Sequence, residues 1–414
     1  MYQRQGSAAF KKDLTNIRLL LAECGNPERQ LRVIHIGGTN GKGSVAHLIA
    51  AALQSTGQRV GLYTSPHYRD FRERIKINAD LLSEEWVVDF IDAKREAISR
   101  ISPSFFEITV AMAFTYFAEQ RVDWAVIEVG LGGRLDSTNV VDPVLSIITN
   151  ISFDHTQFLG DTLPQIASEK AGIIKPNCPV VIGETHPQTE SIFRQKAIAA
   201  KAPITFADQI WQCTPTKETI YHTSFSVRFL GRDLLTDLAV NLHGPFQAVN
   251  LQTTLAALQE LHSLGLFNCS LIHIKSAFTN LKEATYYIGR WQIIGDKPLT
   301  IIDSAHNEGG LRLVIDRLLE INQGQLHIVL GVVKDKELEK VLPLLPTAAH
   351  YYFVNANIPR ALPADILAEK AALHGLIGHI YDTVKNGYRA ARESAHRQDI
   401  VFVGGSIFTI SEII

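Results

Sequence analysis

The chain has 414 residues, 46% of them hydrophobic, enough for two or three domains whose cores need no covalent staples. Forty basic residues against forty-two acidic ones leave almost no net charge, and the absence of a basic run argues against a nucleic-acid partner. Cys24, Cys178, Cys213 and Cys269 lie far apart without a CxxC pair, and no apolar run approaches membrane-span length, so reduced thiols in a cytoplasmic protein are expected.

In chain order, a polar start and a helical stretch lead to the apolar strand "LRVIHI" (31–36). Further strands follow at "RVGLYT" (59–64), "WAVIEV" (124–129), "VLSIITNI" (144–151) and "PVVIG" (179–183). Helical patterns such as "VAHLIAAALQS" and "FEITVAMAFTYFAEQ" lie between them, which predicts an α/β fold with a doubly wound, mostly parallel sheet. Residues 203–243 break this rhythm: "TIYHTSFSVRFLGRDLLTDLAVNL" alternates apolar and polar residues around a Gly-Arg turn and predicts a small antiparallel excursion. The α/β rhythm resumes with strands "LTIIDSA" (299–305), "LHIVLGVV" (326–333), "HYYFVNA" (350–356) and "DIVFVGGS" (399–406). The expected organisation is an α/β domain carrying the antiparallel excursion over 1–284 and a Rossmann-like α/β domain over 285–414, with the junction near Ala284–Gly289.

Between the first strand and its helix lies "HIGGTNGKGSVAHL". Gly37, Gly38, Gly41 and Gly43 let backbone approach an anion, and the helix that follows offers free N–H groups and the positive end of its dipole. Lys42 supplies a mobile ammonium and Ser44 a hydroxyl, so the loop reads as a phosphate site. A Ser or Thr directly after the lysine would ordinarily hold magnesium, and Gly43 has no oxygen to offer. Three segments could supply ligands instead: "TSPHYRDFRERIKIN" with Ser65, "VIEVGLGGRLDSTN" with Glu128 closing a strand, and "NISFDHTQFLG" with Asp154-His155 closing another. Each residue has an ordinary reading as a turn hydroxyl, an ion-pair partner or a helix cap. Their common place after successive parallel strands favours a metal constellation, with phosphate oxygens and water completing the octahedron.

The ordered motifs GTNGKGS, TSPH, EVGLGGRLDSTN, DHT, EKAGIIK, HGPFQAVN, GR (289–290), DSAHN and KDK (334–336) resemble folylpolyglutamate synthase/dihydrofolate synthase, of the Mur ligase superfamily, over nearly the whole chain. That family also carries Gly after the loop lysine. The resemblance implies an ATP-dependent amide ligase that phosphorylates a folate or dihydropteroate carboxylate and lets the amine of L-glutamate displace phosphate. It implies nucleotide contacts from Gly38, Thr39, Asn40, Gly41, Lys42, Gly43 and Ser44, with Asn250 and Arg290 as interdomain contacts and Asp303 on the ribose. Ser65, Glu128 and His155 would hold magnesium, with two ions expected, and Lys170 would carry a carbamate that holds the second. On its own Lys170 reads as a surface lysine paired with Glu169. His306, beside Asp303, joins Lys42 and Lys170 as a catalytic candidate, with helix capping as its ordinary reading. Phe106 would stack on the pterin while Asp136 and Asn139 hold it; "DSTN" and "DSAHN" depart slightly from the family's "DATN" and "DGAHN". Glutamate is expected between the domains, in a monomer acting on small molecules.

Two other readings compete. A Mur ligase extending a UDP-muropeptide shares the loop, but such enzymes usually carry a UDP-binding domain ahead of it. A nucleotide switch is disfavoured by the lack of an NKxD motif.

Overall fold

The computed structural model describes residues 13–219, 222–244, 246–334 and 338–414. The chain forms two compact units. The first holds the residues up to Asn241 together with Gln247–Tyr287; the second holds Leu242–Phe246 and Ile288–Ile414. The division at Tyr287/Ile288 falls within the Ala284–Gly289 stretch, three residues after the boundary at 284, and the assignment of Leu242–Phe246 to the second unit has no counterpart in the sequence reading.

The first unit is built on eight strands: β1 (Val33–Gly37), β2 (Val60–Tyr63), β3 (Ile75–Ile77), β4 (Asp80–Leu81), β5 (Trp124–Glu128), β6 (Leu145–Ile148), β7 (Val180–Ile182) and β8 (Ile204–Phe206). Their order is β4-β3-β2-β5-β1-β6-β7-β8, parallel from β2 to β8, with β3 and β4 added antiparallel at one edge. Every residue of β1 and β5 is buried, as expected of central strands covered on both faces. The antiparallel excursion is a three-stranded meander, β9 (Trp211–Glu218), β10 (Thr223–Phe229) and β11 (Arg232–Val240). Ile220 and Tyr221 of the predicted stretch lie outside the described residues.

The second unit carries β12 (Gln292–Asp296), β13 (Leu299–Ile302), β14 (Leu326–Leu330), β15 (His350–Phe353), β16 (Gly378–Ile380) and β17 (Ile400–Gly404), in the order β12-β13-β17-β14-β15-β16. All neighbours are parallel except β12 and β13. Strands β3, β4, β8, β12 and β16 are additions to the set read from the sequence.

Helix Phe105–Glu119 shows how local sequence serves packing. Ser104 and Glu107 cap it reciprocally, the Ser104 amide donating to Glu107 Oε2 at 2.6 Å and the Glu107 amide to Ser104 Oγ at 3.2 Å. Its buried face, including Phe114 and Phe117, lies against the sheet. Among the described residues no helix is long and apolar enough to cross a membrane.

Phe117 approaches β2 so closely that a Cβ added at Gly61 would sit 2.7 Å from its ring. Gly61→Ala should therefore lower the unfolding free energy by about 1–3 kcal/mol, measured by denaturant melts. Phe117→Leu combined with it should recover part of the loss. An unchanged midpoint for Gly61→Ala would contradict this packing.

Candidate active site

Residues 38–41 make the turn from β1 into helix Lys42–Gln54. Gly38 (φ +134°) and Gly41 (φ +82°) occupy backbone conformations that side-chain-bearing residues rarely adopt. An added Cβ at Gly38 would strike the Thr149 hydroxyl, and one at Gly41 would strike the side-chain carbonyl of Asn250. The loop's shape is fixed by the segment after β6. The Thr39 amide donates to the Asn150 carbonyl at 2.9 Å, the Asn40 amide to Asn150 Oδ1 at 2.9 Å, and the Thr149 hydroxyl to the Asn40 carbonyl at 2.5 Å. The Ser152 amide donates to Thr39 Oγ1 at 3.0 Å. The sequence reading carries this strand through to Asp154-His155. In the structure β6 ends at Ile148, and the residues beyond wrap the loop because their amides and side chains have loop partners instead of ladder partners.

Two ammonium groups meet at one carbonyl. Lys42 Nζ donates to Gly38 O at 3.1 Å and to Thr39 O at 3.0 Å, and Lys170 Nζ donates to Gly38 O at 2.8 Å. Lys170 ends helix Leu163–Lys170 and is buried, not on the surface; Glu169 pairs instead with Arg134 at 2.9 Å. The "GLGGR" loop packs directly on this helix end, a Cβ at Gly133 falling 2.9 Å from Glu169 O. Burial and then the Lys42 charge lower the Lys170 pKa to about 7, against the opposing pull of Asp154 and Asp136.

Glu128, the last residue of β5, is buried and accepts the Ser65 amide at 2.9 Å through Oε2. A Cβ at Gly43 would lie 3.7 Å from both of its carboxylate oxygens. The carboxylate thus stands where a Ser or Thr hydroxyl after the lysine would reach. His155, at φ +50°, starts the short helix Thr156–Leu159, its ring 3.7 Å from the Asp154 carboxylate. Among the described residues no three His, Cys, Asp or Glu side chains gather as a metal cage. The donor set around Glu128 suits a hard divalent ion only when phosphate and water oxygens complete it.

Ser44 faces away from a purely phosphate role: its hydroxyl lies 2.9 Å from the Tyr287 hydroxyl, while His47 Nδ1 lies 2.7 Å from Thr285 Oγ1. Phe106 packs its ring on Gly130, where a Cβ would collide with it. Asp136 is buried, accepting from the Thr138 amide at 3.0 Å and the Leu131 amide at 2.8 Å. Its pKa is raised by burial, with these bonds opposing. Asn139 Nδ2 donates to the Arg134 and Gly172 carbonyls, both at 3.1 Å. Asp136 and Asn139 therefore brace the "GLGGRLDSTN" loop on which Phe106 rests. The structure also brings in Thr149, Asn150, Ser152 and Tyr287, which the sequence reading does not name for the site. The run of polar residues after β6 hints at the first three, and nothing in the sequence hints at Tyr287.

In the second unit, Asp303 follows β13 and is buried, its two oxygens accepting the Trp291 and Ala305 amides, each at 2.6 Å. Burial raises its pKa, and the Arg290 charge opposes this. His306 Nδ1 lies 2.9 Å from the Ser304 carbonyl. The cap of helix Glu308–Ile321 is Asn307, which accepts the Gly310 amide at 2.9 Å, so His306 is spared that task. Lys334 donates to the Pro359 carbonyl at 3.0 Å; Asp335 and Lys336 of the KDK motif, and Pro245 of HGPFQAVN, lie outside the described residues.

Residues 36–258 match the Mur ligase middle domain, and 289–407 the Mur ligase glutamate ligase domain. A dihydrofolate synthase/folylpolyglutamate synthase of Bacillus subtilis is 33% identical over 414 residues, covering 97% of this chain and 94% of that one. The structure of E. coli FolC in complex with DHPP and ADP superposes with a TM-score of 0.87 at 27% identity, covering 100% of this chain and 94% of the other. The Yersinia pestis bifunctional folylpolyglutamate synthase/dihydrofolate synthase complexed with AMPPNP and Mn ion gives 0.85 at 29% identity, covering 100% and 95%. The chain belongs to the Mur ligases, and among them to the dihydrofolate synthase/folylpolyglutamate synthase family.

Proposed function

We propose that this chain is an ATP-dependent ligase that joins L-glutamate to the carboxylate of a folate or dihydropteroate. The observation that carries the reading is the pair of ammonium groups, Lys42 and Lys170, converging on Gly38 O, with the buried carboxylate of Glu128 next to Gly43 of the same loop. Such an arrangement is complementary to a polyphosphate with a divalent ion. In the reaction the substrate carboxylate takes the terminal phosphoryl group and ADP leaves. The glutamate amine then attacks the acyl carbon, loses a proton, and expels phosphate. Acceptor identity remains the family's choice of dihydropteroate or reduced folate, and Phe106 is the proposed stacking partner for its ring.

The loop residues Gly38, Thr39, Asn40, Gly41, Gly43 and Ser44 would surround the phosphates, with Asn250 braced against Gly41. Lys42 would leave the loop carbonyls for phosphate oxygens, stabilising charge that develops during transfer. Glu128, Ser65 and His155 would hold a divalent ion, which when bound neutralises phosphate charge. In the second unit Asp303 and Arg290 are the proposed nucleotide contacts and His306 a catalytic candidate. A first unit for ATP and a second for glutamate ligation, in a cytoplasmic monomer acting on small molecules without nucleic acid, completes the proposal.

A carbamate on Lys170 fits the same site. The neutral Nζ forms an N–C bond to CO2 and releases a proton, turning a neutral amine into an anion able to hold a second divalent ion. Only the uncharged amine reacts, and a pKa of about 7 makes it plentiful at neutral pH, where an ordinary lysine has almost none.

ADP release should require both glutamate and an acceptor, with dihydropteroate or tetrahydrofolate active and a UDP-muropeptide inactive; turnover on the muropeptide alone would move the chain to another Mur ligase activity. Lys42→Ala should fold normally yet raise the reaction barrier by about 3 kcal/mol or more, and near-normal kcat would sink the loop assignment. Lys170→Ala should be almost inactive and partly restored by short-chain carboxylates. In the unmodified enzyme, at equal dissolved CO2, activation should set in faster at pH 8 than at pH 6. The Lys170 pKa lies below its unfolded value, so the amine is mostly neutral above about 7 and mostly charged below it. Activation at the same rate at both pH values, or none after exhaustive CO2 removal, counts against the carbamate.

A further inference from the structure

A second buried lysine lies on the edge hairpin and is absent from the roles above. Lys76 in β3 is only 2% exposed. It pairs across the ladder with Leu62 of β2, which in turn pairs with Val126 of β5. Directly paired residues share a face, and residues two apart along a strand share it too. Lys76, Leu62, Val126 and Glu128 therefore point to one side of the sheet. The side chain runs toward the site, where Nζ donates to Thr64 Oγ1 at 3.4 Å, next to the Ser65 amide that binds Glu128.

Two carboxylates act on this ammonium. Burial lowers its pKa to about 8, and Glu128 and then Glu73 oppose that shift. Glu73 accepts the Tyr68 amide at 2.7 Å, the Arg69 amide at 3.0 Å and the Asp70 amide at 2.9 Å, which commits it to its own turn. Glu128 is the carboxylate at the nucleotide loop, beneath Gly43.

We propose that Lys76 is a positioning residue, a resident counter-ion facing Glu128 that keeps this carboxylate seated in the nucleotide-free protein and opposes a divalent ion there. The ion is then held firmly only when phosphate oxygens accompany it, which favours entry as the metal–nucleotide complex. This rests on reading Glu128 as a metal-holding residue.

The test uses full-length protein carrying Lys76→Met, Lys76→Arg, Glu128→Gln, or Lys76→Met with Glu128→Gln. Mn2+ binding is titrated calorimetrically with and without AMPPNP. Lys76→Met should bind Mn2+ alone roughly five- to tenfold more tightly than the parent, the scale of one screened like charge removed. Lys76→Arg should stay within about twofold of the parent. In metal-free thermal melts the double variant should melt above Lys76→Met, because removing both charges leaves neither buried alone. Unchanged or weaker Mn2+ binding by folded Lys76→Met overturns the proposal, as does a double variant that melts no higher than Lys76→Met, including when neither folds. Should Glu128→Gln bind Mn2+ with AMPPNP as tightly as the parent, the metal reading itself fails. Loss of binding in Glu128→Gln with no effect of Lys76→Met removes the counter-ion role alone.

Discussion

The Gly38 carbonyl accepts hydrogen bonds from two lysines, and the chemistry of the first unit follows from that crowding. One oxygen cannot offset two ammonium groups, and the buried Lys170 resists losing its water. The strain is relieved in part by Lys170, whose affinity for its proton falls until the amine is about half neutral near pH 7. Asp154 and Asp136 offset some of the remainder. The arrangement is still short of negative charge, and a bound polyphosphate would supply it. A surface lysine at either position would feel none of this pressure.

The strand order explains why the needed groups gather. β1 lies between β5 and β6, although those strands come much later in the sequence. Their carboxyl ends deliver the nucleotide loop, Glu128 and the Thr149–Ser152 segment side by side, the switch-point arrangement typical of open α/β sheets. The glycines of the loop are required from outside as much as by their own torsions. Thr149 and Asn250 occupy the space that side chains at Gly38 and Gly41 would need. Anion-binding backbone is thereby held ready by residues more than a hundred positions away.

Much of this was readable in advance. Long, fully buried parallel strands such as β1, β5 and β17 give continuous apolar runs, and helices such as Phe105–Glu119 carry their own capping signals. The strands that escaped lie at or near sheet edges, and some are very short or exposed: β4 has two residues, and all three residues of β16 are exposed. Glu128 was legible because it closes a strong strand. Thr149, Asn150 and Ser152 were not, because their role is to shape another loop, and a polar run after a strand looks like any connection. Asp136 and Asn139 read as ligand-facing polar groups; each also braces its own loop, Asp136 through the Leu131 amide and Asn139 through the Arg134 carbonyl, while the buried Asn139 Oδ1 keeps an open acceptor site. Lys76 sits within an alternating strand pattern, where a lysine ordinarily marks the solvent side.

The five residues Leu242–Phe246 belong to the second unit, while the chain on both sides of them belongs to the first. Synthesis from the amino end therefore does not deliver the units one after the other. Helix Gln247–Ser263, with Leu251, Leu255, Leu258 and Leu261 packed inward, and the Thr285 and Tyr287 partners of the loop helix must emerge before the first unit is complete. By then the 242–246 segment has left the ribosome without its core, which must wait for strands ending at Gly404. A folding first unit thus carries this segment, whose Phe246 packs against the core of the second unit, through most of the remaining elongation. That interval is when such a chain is most open to chaperones and to aggregation.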